Sequence, residues 1–276
     1  MLADTAYGKS GVRLVQVVRR GDRHDLRDLT VAVRFEGDYD ESYVDGDNSA
    51  VLPTDTMKNT VYALAARGPV EDPEHFGLML AEHFLERNPR LQRVTIDLSD
   101  HRWDRISAEG REHGRAFHRC GPETRTARVR ADRQEAHVRA GIADLLIMKT
   151  SHSAFSGFPR DEFTTLPDTR DRLLATSLTA TWVYDVGTTY GIAWRAVRRT
   201  LLSCFADHES ESVQHTLHAM GRAVLDNVPE VAEIHLVMPN RHHLPVDLTP
   251  FGLENRNEIF VATTEPFGLI EATIRR

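Results

Sequence analysis

Val51-Leu-Pro-Thr-Asp-Thr-Met-Lys-Asn59, continued by Thr60-Val-Tyr-Ala-Leu-Ala-Ala-Arg67, is the stretch around which the chain is organised. Proline disfavours helical backbone at the residue before it, so Pro53 ends an extended segment. Thr54 or Asp55 is therefore predicted to be the N-cap of a helix. The apolar residues of that helix recur at helical spacing: Met57, Val61, Leu64 and Ala65.

Working outward, the same half of the chain alternates between strand and helix patterns. Residues 11–20 and 26–36 repeat apolar residues with period two on either side of a turn at Gly21, which predicts a β-hairpin. A second helix is predicted from Pro73 until Asn88-Pro89 stops it. The remaining segments are predicted as a polar connection at 37–49, a strand at 94–98, a loop or irregular hairpin at 104–126 and an alternating strand at 127–142.

This order of elements recurs in the second half. The predicted elements are strands at 143–150 and 174–184, helices at 189–205 and 212–228, and strands at 233–238 and 258–262. The pattern predicts an α+β fold with tandem domains at 1–138 and 139–276, each a four-stranded antiparallel sheet with two helices on one face. The bare face of each sheet must be covered, and a second copy of the chain is the simplest cover.

Composition limits the possible functions. A formal net charge of −7 argues against a nucleic-acid binder that depends on many phosphate contacts. No run of about 18 apolar residues is present, so no membrane span is predicted. Since neither a secretory signal nor a C-terminal peroxisomal address is visible, the cytoplasm is the expected compartment. Cys120 and Cys204 are too few for a disulfide scaffold and are expected to be buried or free thiols.

Familiar cofactor and nucleophile motifs are missing from the sequence, among them glycine-rich phosphate loops and the Gly-x-Ser-x-Gly elbow. Histidines produce metal-like spacings around His113, His118 and Cys120, and again at His215 and His218. Neither group has a convincing fourth ligand or a paired-cysteine knuckle, so no metal is expected.

Short strings with unusual residue combinations remain, and these strings carry the functional information. They are Tyr7-Gly-Lys9, Asp47-Asn-Ser49 before Thr54-Asp-Thr-Met-Lys-Asn59, His101-Arg-Trp103, Phe155-Ser-Gly-Phe158 before Arg160-Asp-Glu-Phe-Thr-Thr-Leu166 and Asp171-Arg172, Ser212-Val-Gln214, Met238-Pro-Asn240 with His242, and Glu265-Pro-Phe-Gly-Leu-Ile270.

In this order and at these spacings, the strings resemble those of the urate oxidase (uricase) family from Tyr7 to Ile274, most weakly between Asp104 and Ala143. The resemblance implies two tunnelling-fold (T-fold) domains per chain. It also implies four chains that form a barrel around a tunnel, with active sites at the subunit interfaces. The implied reaction converts urate, dioxygen and water to 5-hydroxyisourate and hydrogen peroxide in purine degradation, without a metal or an organic cofactor.

The resemblance also assigns a substrate-binding group. Phe155 matches the aromatic residue on which the purine stacks, and a flat conjugated ligand suits such a face. Arg172 and Gln214 match a clamp on opposite edges of urate. A guanidinium fork can meet a carbonyl and an anionic ring nitrogen, while an amide both donates and accepts. Further positions match pocket-lining residues: Val213 with backbone polar contacts, and Leu166 and Ile270 as apolar walls.

A second group concerns oxygen and protons. Thr54 and Asn240 match residues that hold dioxygen or water, a task for neutral donors. Lys9, Thr54 and His242 match a proton relay, in which histidine titrates in the useful range. Asp55 is a secondary site residue that contacts substrate through its backbone. In the family, Lys9, Thr54 and Asp55 come from one subunit and the other groups from its neighbour.

Two other functions are compatible with parts of the sequence. A tunnelling-fold enzyme that processes pterins or GTP anchors its heterocycle with a glutamate and can need zinc ligands, which Gln214 and the absent ligand set argue against. A purine-binding or scaffold protein without catalysis is disfavoured by the intact relay group. Departures from the family's strings occur at Arg241, His243 and Ser156, and these bear on rate and pH optimum.

Overall fold

The structure, a computed structural model, describes residue 2, residues 4–185 and residues 188–276. The chain forms two compact units, Met1–Gly141 with Thr188–Ile192, and Ile142–Gly187 with Ala193–Arg276. The domain boundary expected between residues 138 and 139 remains a prediction. None of the helices in the described ranges is long and apolar enough to cross a bilayer.

The first unit is built on antiparallel strands in the order β1-β2-β3-β4. The predicted hairpin at 11–36 is confirmed, although both of its strands are longer than predicted, and the polar connection contains a short helix that was not predicted. The elements are β1 Tyr7–Arg20, β2 Arg23–Gly37, α1 Asp40–Val44, α2 Thr54–Ala65, α3 Pro73–Arg87, β3 Leu91–Ala108 and β4 Arg111–Ala131.

The core of the first unit lies between this sheet and the helices. Alternate residues of β2 point to one face and are fully buried there, as period-two patterning requires. Fully burying each such side chain contributes about 1.5–3 kcal/mol. The buried set comprises Leu29, Val31, Val33 and Phe35 from β2, Met57, Val61 and Leu64 from α2, and Phe76, Leu80 and Phe84 from α3.

The second unit repeats the α+β arrangement, with strands in the order β5-β6-β7-β10 and antiparallel pairing of β7 with both β6 and β10. Its elements are β5 Ala136–Lys149, β6 Leu174–Tyr184, α4 Tyr190–Asp207, α5 Val213–Asn227, β7 Val231–Asn240, β8 His243–Pro245, a 3-10 turn at Thr249–Phe251, β9 Phe260–Ala262 and β10 Gly268–Arg275. The first residues of β5 (136–141) and of α4 (190–192) are counted with the first unit. The predicted strand at 174–184 and the helix at 212–228 are confirmed.

One strand prediction in the middle of the chain needs correction. The alternating segment 127–142 is not one strand, because a turn separates β4 from β5. The Asp132 carboxylate stabilises that turn by accepting the N–H groups of Gln134 at 2.8 Å and Glu135 at 3.0 Å. Of the two alternatives predicted for residues 104–126, the irregular hairpin is confirmed: they form the outer part of the β3–β4 hairpin, with register shifts after His101 and Arg105.

The strand predicted at 258–262 as the last strand of the second unit's four-stranded sheet is also wrong. Only Phe260–Ala262 is extended, and it pairs with β8 in a separate two-stranded sheet. The strand that pairs with β7 is β10, which the sequence reading missed. Most of the β10 side chains are exposed, so its sequence lacks the apolar alternation that marks a half-buried strand.

Candidate active site

Lys9 is held on the helix-bearing face of the first unit by a β-bulge. Lys9 pairs with Val33 and Val12 pairs with Val31, so β1 uses one more residue than β2 over this interval. Gly11 lies inside the bulge at φ 68°, a conformation that glycine adopts without steric cost. Because Val31 and Val33 both face the core, the bulge lets Lys9 share a face with buried Val12.

The start of α2 differs from the prediction. Its N-cap is Pro53, with φ −56° and ψ 136°, and no side-chain hydrogen bond caps the helix. Thr54 is instead the first helical residue, and within the described residues its hydroxyl has no hydrogen-bond partner. Neither Thr54 nor Asp55 is the N-cap, because proline already supplies the extended backbone that the cap position needs. The Thr54 hydroxyl is therefore available to a ligand.

The Asp55 carboxylate is occupied on the surface of the same helix. It accepts a hydrogen bond from the Lys58 ammonium and another, at 3.0 Å, from the Asn59 amide. The Lys58 hydrogen bond and charge are the main causes that lower the pKa of Asp55, and the charge of Lys9 acts in the same direction. Lys9, Thr54 and Asp55 thus lie in one neighbourhood of the first unit.

Tyr7 connects β1 to the segment that precedes α2, a role that was not predicted from the sequence. Its hydroxyl accepts the backbone N–H of Leu52 at 3.0 Å, two residues before Thr54. Its ring makes edge contacts with Tyr39 at 4.9 Å and Phe35 at 5.7 Å between centroids. Since Tyr7 precedes Lys9 by two residues, these contacts fix β1 against the segment that leads into α2.

In the second unit, Phe155 and Arg172 lie together. The guanidinium carbon of Arg172 is 5.2 Å from the centroid of the Phe155 ring, within cation–π range. Burial lowers the pKa of Arg172. Its Nε is buried and has no hydrogen-bond partner among the described residues. A partly buried guanidinium beside an aromatic face is suited to a planar anion.

Backbone bonds join this pair to the start of α5. Ser153 accepts the N–H of Arg172 at 2.9 Å, and Ala154 donates to the carbonyl of Ser210 at 2.6 Å. Ser212 is the N-cap of α5, and its hydroxyl accepts the His215 N–H at 3.1 Å. Buried Val213 and exposed Gln214 therefore begin a capped helix whose N-terminal dipole favours negative charge.

The predicted oxygen-side residues of the second unit lie where β6, β7 and β10 meet. Asn240 ends β7, opposite Thr176 of β6 and Gly268 of β10. The carbonyl of His242 accepts the N–H of Thr263 at 3.0 Å. Ile270 is partly buried opposite Met238.

Leu166, predicted as an apolar wall of the substrate pocket, lies at the surface. Its side chain is 49% exposed, and its carbonyl accepts a hydrogen bond from Arg160 at 3.2 Å. Its assignment to the substrate pocket remains a prediction.

Within the described ranges, no group of three or more histidine, cysteine or acidic side chains has an arrangement that could hold a metal ion. The predicted site residues, whether catalytic, substrate-binding or wall-forming, divide between the two units. Lys9, Thr54 and Asp55 belong to the first unit, while the second holds Phe155, Leu166, Arg172, Val213, Gln214, Asn240, His242 and Ile270.

The comparisons with known proteins agree over the whole chain. A family model described as "Uricase" matches residues 5–130 and 138–271. Curated proteins named "Uricase" include one from Arthrobacter globiformis, 43% identical over 100% of this chain and 90% of that protein. Another, from Danio rerio, is 37% identical over 99% of this chain and 94% of that protein.

Solved structures give the same result. The crystal structure of uricase from Arthrobacter globiformis superposes with a TM-score of 0.95 at 43% identity, covering 100% of this chain and 95% of that one. A uricase from Bacillus fastidious gives a TM-score of 0.86 at 26% identity, covering 98% and 93% of the two chains. With a family match that spans both units and relatives above 30% identity along its full length, this chain belongs to the uricase family.

Proposed function

We propose that this protein oxidises urate with dioxygen and water to 5-hydroxyisourate and hydrogen peroxide, and that it does so without a metal or an organic cofactor. Membership of the uricase family makes it an oxidoreductase that acts on urate. The observation that carries the proposal is the match to that family across both units, with Phe155 and Arg172 already in contact.

Most of the proposed contacts with urate come from the second unit. Urate stacks on Phe155, and the Arg172 guanidinium meets one edge of the purine while Gln214 meets the opposite edge. Arg172 is charged and partly desolvated, so it stabilises the deprotonated ligand, the form that gives electrons to oxygen. The amide of Gln214 and the backbone of Val213 lie at the start of α5, where the helix dipole also favours an anion.

Oxygen and proton chemistry needs both units. Thr54 and Asn240 hold dioxygen or water above the purine, while Lys9, Thr54 and His242 move protons. Two electrons pass from urate to dioxygen, which takes up two protons to give peroxide, and water then adds to the oxidised purine. Two observations support this division: the Thr54 hydroxyl has no hydrogen-bond partner among the described residues, and the Asp55 carboxylate is occupied, so that Asp55 keeps only its backbone for the ligand.

The active assembly contains four copies of the chain, with sites at subunit interfaces. Support comes from two strands, β1 and β10. Within the described residues, each of them is paired on one edge only, and its outer edge has no partner strand. Both edges carry exposed apolar side chains, Val15 at 60% and Leu269 at 61% exposure. Unpaired apolar edges favour pairing with another chain.

The experiment is a parallel measurement of urate disappearance and peroxide formation by purified protein, with and without prior chelation. Equal rates in both samples and one peroxide per urate are expected. Activity that appears only after metal is added contradicts the cofactor-free reaction. Urate binding without peroxide formation instead supports a purine-binding protein without catalysis. Turnover of a pterin or of GTP supports a tunnelling-fold enzyme that processes those compounds.

A further inference from the structure

Phe155 is not an isolated ring. Phe158 stacks on it with 4.9 Å between centroids and 13° between the ring planes. The two residues are three positions apart, and Gly157 between them has φ 73°, a left-handed conformation that glycine adopts without steric cost. Because Phe158 stacks on one face of Phe155, that face is closed to a planar ligand.

A cation covers Phe158 in turn. The guanidinium carbon of Arg160 lies 5.0 Å from the centroid of the Phe158 ring. Arg160 is held by the Asp168 carboxylate at 3.2 Å and by the Leu166 carbonyl at 3.2 Å. Asp168 also accepts the N–H of Gly157 at 3.1 Å.

The loop that contains these residues is closed at its base. Phe155 donates its N–H to the carbonyl of Thr169 at 2.7 Å and accepts the N–H of Thr169 at 2.9 Å. The side chains of Arg160 and Asp168 are 50% and 53% exposed, so their ion pair contributes little stability by itself. Its effect on the site therefore runs through the position of Phe158.

We propose that Phe158 is a positioning residue for urate, and that Arg160 and Asp168 hold it against Phe155. This inference rests on the proposed function and extends it beyond the residues that touch the purine. Phe158 restricts the Phe155 ring to one orientation, so that the ligand does not have to order the ring when it binds. Preorganisation of this kind raises affinity without altering the chemical step.

The test compares Phe158→Leu with Phe163→Leu. Both variants replace a phenylalanine of the same loop, but the Phe163 side chain is 81% exposed and belongs to no proposed part of the site. The dissociation constant for urate is measured without oxygen, and KM and kcat are measured in air. Phe158→Leu is expected to raise the dissociation constant and KM about three- to tenfold, with kcat changed less than about twofold.

Two further variants separate stacking from a general effect on folding. Phe158→Tyr keeps the ring and is expected to retain the wild-type dissociation constant. Arg160→Gln is expected to fall between the wild type and Phe158→Leu. An unchanged dissociation constant in Phe158→Leu, or an equal loss in Phe163→Leu, overturns the positioning role while urate oxidation by the wild type stands. Wild-type protein that neither binds nor consumes urate overturns both proposals.

Discussion

At the scale of single residues, Lys9 and Arg172 are expected to fail in different ways. Arg172 contacts the Phe155 ring, and our proposal places it against urate in the ground state, so Arg172→Ala should raise the dissociation constant for urate. Lys9 belongs to the proposed proton relay, so Lys9→Met should lower kcat by about 10²–10⁴-fold, the range of general acid–base catalysis. Urate binding without oxygen and steady-state kinetics, measured on both variants, check whether Arg172 affects binding and Lys9 affects turnover.

Lys58→Met is the matched control for Lys9→Met. Lys58 lies in the first turns of α2 and binds the Asp55 carboxylate, which is not assigned to the substrate. This variant is expected to keep kcat. A rate in Lys9→Met equal to that of the wild type removes Lys9 from the relay.

At the scale of elements, the start of α3 depends on a buried ion pair. Glu74 is fully buried in the first turn of α3 and accepts a hydrogen bond from Arg125 of β4 at 2.6 Å. Burial raises the pKa of Glu74, against the opposing effect of the Arg125 charge. A charge left alone at such a site is costly, whereas an apolar pair of similar volume is not.

Arg125→Met is therefore expected to lower the free energy of unfolding by about 3–5 kcal/mol, and Glu74→Leu/Arg125→Met by much less. Denaturant unfolding at one protein concentration measures both, since assembly makes apparent stability depend on concentration.

The control for these two variants is the exposed ion pair between Arg90 and Glu41. The Arg90 Nη1 and Glu41 Oε2 atoms are 2.7 Å apart, and the side chains are 43% and 52% exposed. Glu41→Gln should change the free energy of unfolding by less than about 1 kcal/mol. If Arg125→Met costs no more than Glu41→Gln, the buried pair does not anchor α3 to the sheet.

The helix and strand predictions succeeded where the information is local. Asp72 and Ser212 each accept the N–H of the residue three positions on, and each starts a helix where the sequence placed one. The prediction failed at β10, whose strand character comes from its bonds to β7. It also failed at residues 127–142, where continuous alternation concealed the turn at Asp132.

At the scale of the whole molecule, the proposed site takes Lys9 and Thr54 from one copy of the chain and Arg172 from another. Lys9→Met and Arg172→Ala should each be inactive alone. Co-expressed in equal amounts, they should regain activity at about a quarter of the sites, since a site is whole only when both donors are unaltered there. Activity per assembly, measured after co-purification with two different tags, checks this.

Mixing the two purified variants without subunit exchange is the control, and it should stay inactive. A co-expressed assembly that also stays inactive means that each chain supplies its own site. That result contradicts the interface site but leaves urate oxidation intact.

The sequence alone determined the α+β class, the recurrence of strands and helices, and the family that its strings resemble. Periodicity, proline and capping residues act over a few positions, so they can be read without knowledge of the rest of the chain. The resemblance added the names of the site residues.

Tertiary structure decided how those residues are presented. The bulge that turns Lys9 toward the α2 face requires pairing with β2. The stack of Phe158 on Phe155 requires the loop to close at Thr169. Strand register, the bulge and the closure of the loop at Thr169 depend on partners distant in the chain, and a local pattern carries no record of which partner is chosen.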